Sequence, residues 1–523
     1  MTITISPNGY TDTMAEQLTS ITAYPHEVEF VQVRETHSST VFLTGQYAYK
    51  VKKPVSFEYL DYSTVDRRRF YCLEEVRLNR DLCDDVYLGV VPISLKNGRL
   101  VVDGDGEIVD WAVKMRQLNE KDLLSNRLEA GAIHRVDIER TAARVAAFHQ
   151  NEFRDPLEGT AVDLAILVDD ACTTMDQVAG DEANSRYLIR PFLAEFLADN
   201  KELLAERLRT GRVRDCHGDL RTQNICLDPT GVQIFDCVEF STLLRFIDVA
   251  ADVACLAMDI DLAGRADLRE TLISAYVSRT GDSSLRSVLP FYQTYRAVVR
   301  GNLAMRAANE RARSGQDRDE QLKTAAAAYD LARCYASRRD RPALFVTVGY
   351  CGAGKSTLAH EVSRRLGASH VSSDRIRREL VGLLPKGDDV YSDDHHAHIY
   401  DELRHRALDA LDVGTSVILD ATFLAQGEQA EAAGVASLEN ADFWILKCEC
   451  PEETIRERLC DCEHHTGDLS DADIAVFERQ ISQFSGLTVA ERHNGKQGGV
   501  IQLNTSLPVE TTAREVVNRV LAR

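Results

Sequence analysis

Residues 349–356 read Gly349-Tyr350-Cys351-Gly352-Ala353-Gly354-Lys355-Ser356 and satisfy the pattern G-x-x-x-x-G-K-[ST] at every defined position. Such a loop needs a strand before it and a helix after it. The backbone N–H groups of the loop and the helix N-terminus must converge on phosphate oxygens. Both neighbours are present: the apolar run at 343–348 predicts a buried strand, and 357–366 carries apolar residues at helical spacing. Gly349, Gly352, Ala353, Gly354, Lys355, Ser356 and Thr357 are therefore the expected nucleotide-binding residues. Lys355 is expected to meet the β- and γ-phosphates and the Ser356 hydroxyl to ligate Mg²⁺.

A chain of 523 residues exceeds one ordinary core, so at least two domains are expected. A formal net charge of -21 disfavours adhesion to nucleic acid or to an anionic membrane, both of which require clustered positive charge. No apolar run reaches the roughly 18 residues of a membrane span, and the first residues lack the basic and apolar regions of a secretory signal. A cytoplasmic protein with no membrane partner is expected. Thirteen cysteines, an odd number spread through apparent core segments, fit reduced thiols better than a disulfide framework.

Residues 1–24 form an N-terminal extension with a short helical pattern at 14–21. Alternating segments at 28–34, 40–44 and 47–53 predict three antiparallel strands, the last two joined at Gly45-Gln46. A helix over 64–79 follows, in which Phe70, Leu73, Val76 and the Arg77 stem are expected to share a face. A second hairpin is predicted from 93–102 and 107–115, turning through 103–106, and 133–208 reads as almost purely helical.

The next segment reads Asp215-Cys-His-Gly-Asp-Leu-Arg-Thr-Gln-Asn224, and Asp236 comes twelve residues after Asn224. The string His217-Gly218-Asp219 with Asn224 and Asp236 resembles the catalytic loop and metal-binding aspartate of the aminoglycoside phosphotransferase branch of the protein-kinase-like fold. Lys50 lies on the third strand where that family places its strand lysine. Glu74 or Glu75 lies on the helix that would supply the lysine's partner. The resemblance covers 25–336 and implies a bilobal α+β kinase fold. It further implies that Asp219 accepts the proton of an acceptor hydroxyl, that Asn224 and Asp236 hold Mg²⁺, that Lys50 orients the α/β-phosphates of ATP, and that Glu75 holds Lys50. Asp248 and Asp252 resemble the aspartates of the helix that braces the catalytic loop. One departure is the absence of G-x-G-x-x-G between the first two strands, where residues 35–40 read Glu-Thr-His-Ser-Ser-Thr.

Residues 325–336 predict a strong helix, and the charged, proline-ended 337–342 reads as a linker. In 343–523, further apolar runs end near Asp374, at Asp420 and at 449, alternating with helical patterns, so a parallel α/β sheet is expected with its chemistry at the strands' carboxyl ends. This half resembles small P-loop kinases of the gluconate kinase, polynucleotide kinase and zeta toxin type. That resemblance implies Asp374 as the acceptor-side base, Arg377 or its neighbour Arg378 on phosphate, and Asp420 as an orienter of Mg²⁺-bound water. A lid is expected over 451–465 and 470–473, with Arg456 and Arg458 as phosphate clamps; Cys462 stands where relatives carry a further arginine. The Cys460, Cys462, His464, His465 group is nearly contiguous and unlike the usual zinc spacings. The run 393–398 reads as the capped start of a polar helix.

Three functions are compatible with these residues. One is a protein with two ATP-dependent kinase modules, each phosphorylating a hydroxyl of a small molecule. Another has a single working module, with Cys462 pointing to the P-loop half as the silent, regulatory one. The third is a nucleotide sensor without chemistry, disfavoured because binding alone needs no positioned base. A nucleic-acid 5′-end needs only a local pocket as acceptor, but a long nucleic acid conflicts with the charge.

Overall fold

The computed structural model describes residues 12–57, 60–83, 85–151, 164–178, 186–337, 341–381, 393–462, 474–484, 486–487 and 498–521. The chain divides into two compact units that alternate along the sequence. Unit 1 takes 1–163, 200–256 and 272–285, and unit 2 takes 164–199, 257–271 and 286–523.

Unit 1 is built on a six-stranded antiparallel sheet. Its strands are β1 (Gln32–Glu35), β2 (Ser39–Leu43), β3 (Tyr47–Lys52), β4 (Tyr87–Lys96), β5 (Arg99–Val102) and β6 (Glu107–Arg116), in the order β1-β2-β3-β6-β4-β5. Between β1 and β2 the chain closes in a tight turn, with the Thr36 N–H donating to the Ser39 carbonyl at 2.9 Å. The hairpin predicted from 93–102 and 107–115 is corrected. The chain folds back at Asn97-Gly98, both in the left-handed region (φ 52° and 77°), so that 93–102 is split between β4 and β5, and β6 pairs with β4 and β3. Asn-Gly is a strong two-residue hairpin signal, and here it overrides an apparently continuous strand.

Helix α1 (Val65–Asn79) begins at Thr64, whose side chain accepts the Arg67 N–H. Its inner face also differs from expectation. Phe70 and Leu73 are exposed, while Arg68, Cys72, Glu75, Val76 and Asn79 are buried. The buried face is partly polar because each polar group has a partner waiting: Arg68 meets Asp110, Asn79 accepts the Cys237 N–H, and Glu75 meets two lysines. A hydrophobic-period argument selects the wrong face wherever function places charge in the core.

In separate two-stranded pairings, Val213–Asp215 runs antiparallel to Phe246–Asp248, and a hairpin of β7 (Ile225–Asp228) and β8 (Gly231–Ile234) follows the loop that carries His217 to Asn224. Helix α2 (Val249–Leu262) starts directly after Asp248. The predicted helical region at 133–208 resolves into Arg135–Asn151, Leu164–Val178, Arg186–Asp199 and Lys201–Arg209.

Unit 2 contains a five-stranded, all-parallel sheet: β9 (Ala343–Val348), β10 (Ser369–Ser372), β11 (Val417–Asp420), β12 (Asp442–Glu449) and β13 (Gly498–Asn504), in the order β10-β11-β9-β12-β13. All six residues of β9 are buried, as a central parallel strand covered on both faces requires. One face packs on Leu358, Val362, Val516 and Val517, the other on Leu403, Ala407, Ala432 and Val435. The long helices Leu285–Arg313 and Asp319–Ala336 extend this unit, and the second packs on helix α3 (Lys355–Leu366) through Arg365, which is fully buried and bonded to Asp330 at 2.5 Å and Glu361 at 2.7 Å. Linker residues 338–340, the lid residues His464, His465 and 470–473, and the Cys462 side chain lie outside the described residues. Among the described residues no helix is long and apolar enough to cross a membrane, and the described cysteines carry no disulfide.

Candidate active sites

In unit 1 the loop from Cys216 to Asn224 is fixed by its own backbone and by α2. Gly218 turns with φ 85°, and a β-carbon there would lie 3.0 Å from the Leu244 carbonyl, so the turn admits only glycine without a shift. The Asp252 carboxylate accepts the His217 and Gly218 N–H groups at 2.7 and 3.0 Å. His217 Nε2 lies 2.9 Å from the Phe235 carbonyl, and its Nδ1 accepts the Asp219 N–H at 3.2 Å. Asn224 Nδ2 donates to the Asp219 carbonyl at 3.1 Å. These bonds hold the backbone of Asp219 while leaving its carboxylate nearly half exposed.

Asp236 adopts a left-handed conformation (φ 66°), which aspartate tolerates better than most residues, and donates its N–H to the Tyr87 hydroxyl at 3.2 Å. Its Oδ1 lies 2.5 Å from Lys50 Nζ, and Lys50 also meets Glu75 Oε1 at 2.8 Å. The choice left open by the sequence thus resolves geometrically. Glu75 is fully buried against Lys50, whereas Glu74 turns outward to Arg77 at 2.8 Å. Burial raises the pKa of Glu75, but Lys50 and Lys52 outweigh it and hold the carboxyl below its ordinary value; Asp236 is likewise held down by Lys50 against its own desolvation. Glu75→Gln is expected to destabilise unit 1 by about 1.5–3 kcal/mol, because Lys50 and Lys52 each lose one of two carboxylates and keep Asp236 and Glu239 respectively, while Glu74→Gln costs less than about 1 kcal/mol. Denaturant unfolding of the two variants checks the difference.

Sequence reasoning missed several of these groups. Lys52, Glu239, Tyr62 and Tyr87 surround the Lys50–Glu75 pair. The alternation of β3 does place Lys52 on the same face as Lys50, and that signal was available. Behind the loop, buried His149 joins Asp252 (3.4 Å) to the Tyr276 hydroxyl (2.9 Å).

In unit 2, α3 begins at Gly354, whose left-handed backbone (φ 79°) sharply redirects the chain, and Lys355 Nζ donates to the Tyr350 carbonyl at 2.8 Å. At Gly349 a β-carbon would approach the Cys448 carbonyl to 2.8 Å, so the loop passes β12 only because the residue is glycine. Asp420 ends β11 next to the loop. Burial pushes its pKa up, but His370 at 3.2 Å, Lys355 and the Ser356 hydroxyl together hold it low. Asp374 lies in the first turn of helix α4 (Ser373–Val381), two residues beyond the end of β10, and is ion-paired with Arg377. Its pKa is raised, first by desolvation and then by Asp420, against the opposing pull of Arg377.

Of the two expected clamps, Arg458 reaches the Gly352 carbonyl at 3.4 Å and the Thr505 carbonyl at 2.9 Å, whereas Arg456 is engaged by Glu452 and Glu478 farther out. A cavity beside the loop is lined by Gly354, Thr357, Arg458, Thr505, Leu507 and Thr512. The segment after β13 that supplies Thr505 and Leu507 was not anticipated, although its place at a strand's carboxyl end marks it. His396, within the 393–398 run, faces Glu428 at 2.8 Å on the helix Asp393–Asp412.

Both sites offer oxygen donors of the kind a hard divalent cation takes: the Asn224 carbonyl and Asp236 carboxylate in unit 1, and the Ser356 hydroxyl and Asp420 carboxylate in unit 2. The residues present therefore fit Mg²⁺.

Comparison with known proteins gives two matching family models: the phosphotransferase enzyme family over residues 130–288 and an AAA domain over 344–487. The Mycobacterium tuberculosis protein Rv2004c is 30% identical over 446 residues, covering 82% of this chain and 86% of the relative, and Mycobacterium bovis Mb2027c matches to the same extent. Among solved structures, a choline/ethanolamine kinase family protein from Mesorhizobium loti matches 61% of this chain and 94% of its own at 12% identity and a TM-score of 0.37. A sugar kinase from Janibacter sp. matches 35% of this chain and 96% of its own at 20% identity and a TM-score of 0.26.

Proposed function

Because the chain belongs to one family with the mycobacterial proteins Rv2004c and Mb2027c, and joins a phosphotransferase segment to a P-loop segment, we propose that it is an ATP-dependent kinase with two modules. Each module transfers the γ-phosphoryl group of ATP to a hydroxyl of a small molecule. The kinase-like module is assigned to 25–336 and the P-loop module to 343–523, with 337–342 between them, a division that follows the motifs. The observation that carries the reading is the convergence in unit 1 of Lys50, Glu75 and Asp236, beside a loop that presents Asp219 and Asn224.

In unit 1, Lys50 binds the α/β-phosphates while Glu75 holds it. The Asp219 carboxylate takes the proton of the acceptor hydroxyl as its oxygen bonds to the γ-phosphorus; the bond to the β,γ-bridging oxygen breaks and ADP leaves. Asn224 and Asp236 would hold Mg²⁺, which supplies charge neutralisation at the phosphates. In unit 2 the loop N–H groups and Lys355 cradle phosphate, and Asp374 takes the acceptor's proton. Its pKa is raised, by desolvation first, which makes its carboxylate a stronger base than an exposed one. Arg377 keeps Asp374 oriented and faces phosphate, and Ser356 and Asp420 would hold the second Mg²⁺.

Labelled γ-phosphate transfer to a panel of small alcohols, run separately on Asp219→Asn and Lys355→Ala, tests the reading. Each substitution is expected to remove a different set of phosphorylated products, with Lys355→Ala lowering its own set by at least about 10²-fold. Unchanged product sets in both variants would refute the two-kinase assignment.

A further inference from the structure

Lys52 is fully buried, lies two residues from Lys50 on β3, and has no part in the chemistry above. Its Nζ lies 2.7 Å from Glu75 Oε2, is hydrogen-bonded to Glu239, and sits 3.4 Å from the Tyr62 hydroxyl, which itself donates to Glu239. The two oxygens of Glu75 are thus divided between two lysines: Oε1 serves Lys50 and Oε2 serves Lys52. Glu239 comes from the segment directly after Asp236, so this second pair ties that segment to β3 without using the Asp236 carboxylate, which would hold Mg²⁺.

We propose that Lys52, fixed by Glu239 and Tyr62, is a positioning residue for nucleotide binding at unit 1: it keeps Glu75 neutralised and in place, so that Lys50 is free to turn to phosphate. The proposal rests on the reading of unit 1 as an ATP site. In the structure Lys50 is claimed by two carboxylates, Glu75 and Asp236. A phosphate must compete with both for one ammonium group. An ammonium permanently seated on the other oxygen of Glu75 weakens that claim and still leaves the glutamate charged and oriented when Lys50 moves. Burying a lysine for this purpose requires its own counter-charge, which Glu239 supplies. Desolvation presses Lys52 toward losing its proton, but Glu239 and Glu75 hold its pKa above the ordinary value, so it remains a cation.

The test uses the full chain carrying Lys355→Ala, which silences the second nucleotide site, and reads ATP affinity by calorimetric titration. Lys52→Met alone would strand Glu239 as a buried unpaired carboxylate, so the informative variant is Lys52→Met with Glu239→Gln, which removes both charges of the pair together. This variant is expected to bind ATP about tenfold or more weakly, the scale of one charge-assisted hydrogen bond, with the KM for the acceptor unchanged. Unchanged ATP affinity of the folded fraction, measured well below the unfolding midpoint, would overturn the proposal and make the pair structural, whatever happens to the midpoint. Lys50→Met in the same background separates the two levels. If it leaves ATP binding intact, the nucleotide reading of unit 1 fails and the role of Lys52 falls with it; if it weakens binding while the double variant does not, only the role of Lys52 fails.

Discussion

Asp219→Asn is expected to lower phosphoryl transfer by unit 1 by about 10²–10⁴-fold, the range of a lost general base, while ATP affinity stays within about twofold of the parent chain. The backbone at residue 219 is set by His217 Nδ1, by Asn224 Nδ2 and, one step back, by the Asp252 carboxylate, and none of these bonds uses the Asp219 side chain. Asparagine has nearly the same shape and keeps all three. The carboxylate makes none of the ion pairs of the Lys50–Glu75–Asp236 cluster and meets Arg221 at 4.0 Å, so its loss leaves in place the charges proposed to hold the nucleotide. What disappears is the ability to accept a proton from an incoming hydroxyl. Single-turnover transfer in the Lys355→Ala background isolates unit 1, and a parallel ATP titration checks binding. A fall in affinity matching the fall in rate would mean that Asp219 acts on the nucleotide and not on the acceptor.

The second large effect concerns stability. Arg207 is 1% exposed and its guanidinium is fully used: Nε and Nη2 donate to Asp248 at 2.7 Å each, Nη1 and Nη2 to Asp282 at 2.8 and 2.9 Å, and Nη1 also to Ser284 at 2.6 Å. Arg207→Met keeps the packing volume but takes the shared guanidinium from two carboxylates whose side chains are 3% and 1% exposed, leaving only Arg212, 3.9 Å from Asp282, as a cation beside them. Stranding buried charges in this way costs about 3–5 kcal/mol, against the roughly 1 kcal/mol of an exposed pair. Asp248 immediately precedes α2 and accepts the Ala250 N–H at 2.8 Å, and α2 carries Asp252 to the loop, so transfer by unit 1 should be lost at lower denaturant than global structure. Adding Asp248→Asn and Asp282→Asn to Arg207→Met is expected to recover a large part of the stability, since neither buried carboxylate is then left without its guanidinium. Calorimetric unfolding of the single and triple variants checks both statements. A triple variant no more stable than the single one would assign the cost to packing.

The sequence made legible those parts of the molecule that short-range rules govern. The phosphate loop, its flanking strand and helix, and the parallel character of the second sheet follow from contiguous residues with one dominant period. The order of Lys50, His217, Asp219, Asn224 and Asp236 was likewise readable, because each sits in a recognisable local string. What was not legible depended on partners distant in the chain. The inner face of α1 could not be read from hydrophobicity, because Glu75 and Arg68 are buried by β3 and β6 residues that no spacing connects to them. The choice between Glu74 and Glu75 needed the position of Lys50. Arg458, and not Arg456, proved to be the arginine at the phosphate loop, since the decision is made by the carbonyl of Thr505, 47 residues away. The Asn97-Gly98 reversal is different in kind: its signal was local and simply outweighed by the apolar residues around it.

The burial of Arg365 between Glu361 and Asp330 bears on how this chain can be cut. A fragment beginning at residue 343 would hold the complete nucleotide loop, yet it would lose Asp330, one of the two carboxylates that Arg365 binds. It would also bare to water the face of α3 on which Asp319–Ala336 packs. The P-loop half is therefore not a cassette that can be lifted out at its motif boundary or grafted elsewhere. A portable version must carry the helices from 286 onward, together with replacements for the inner surfaces contributed by 164–199 and 257–271.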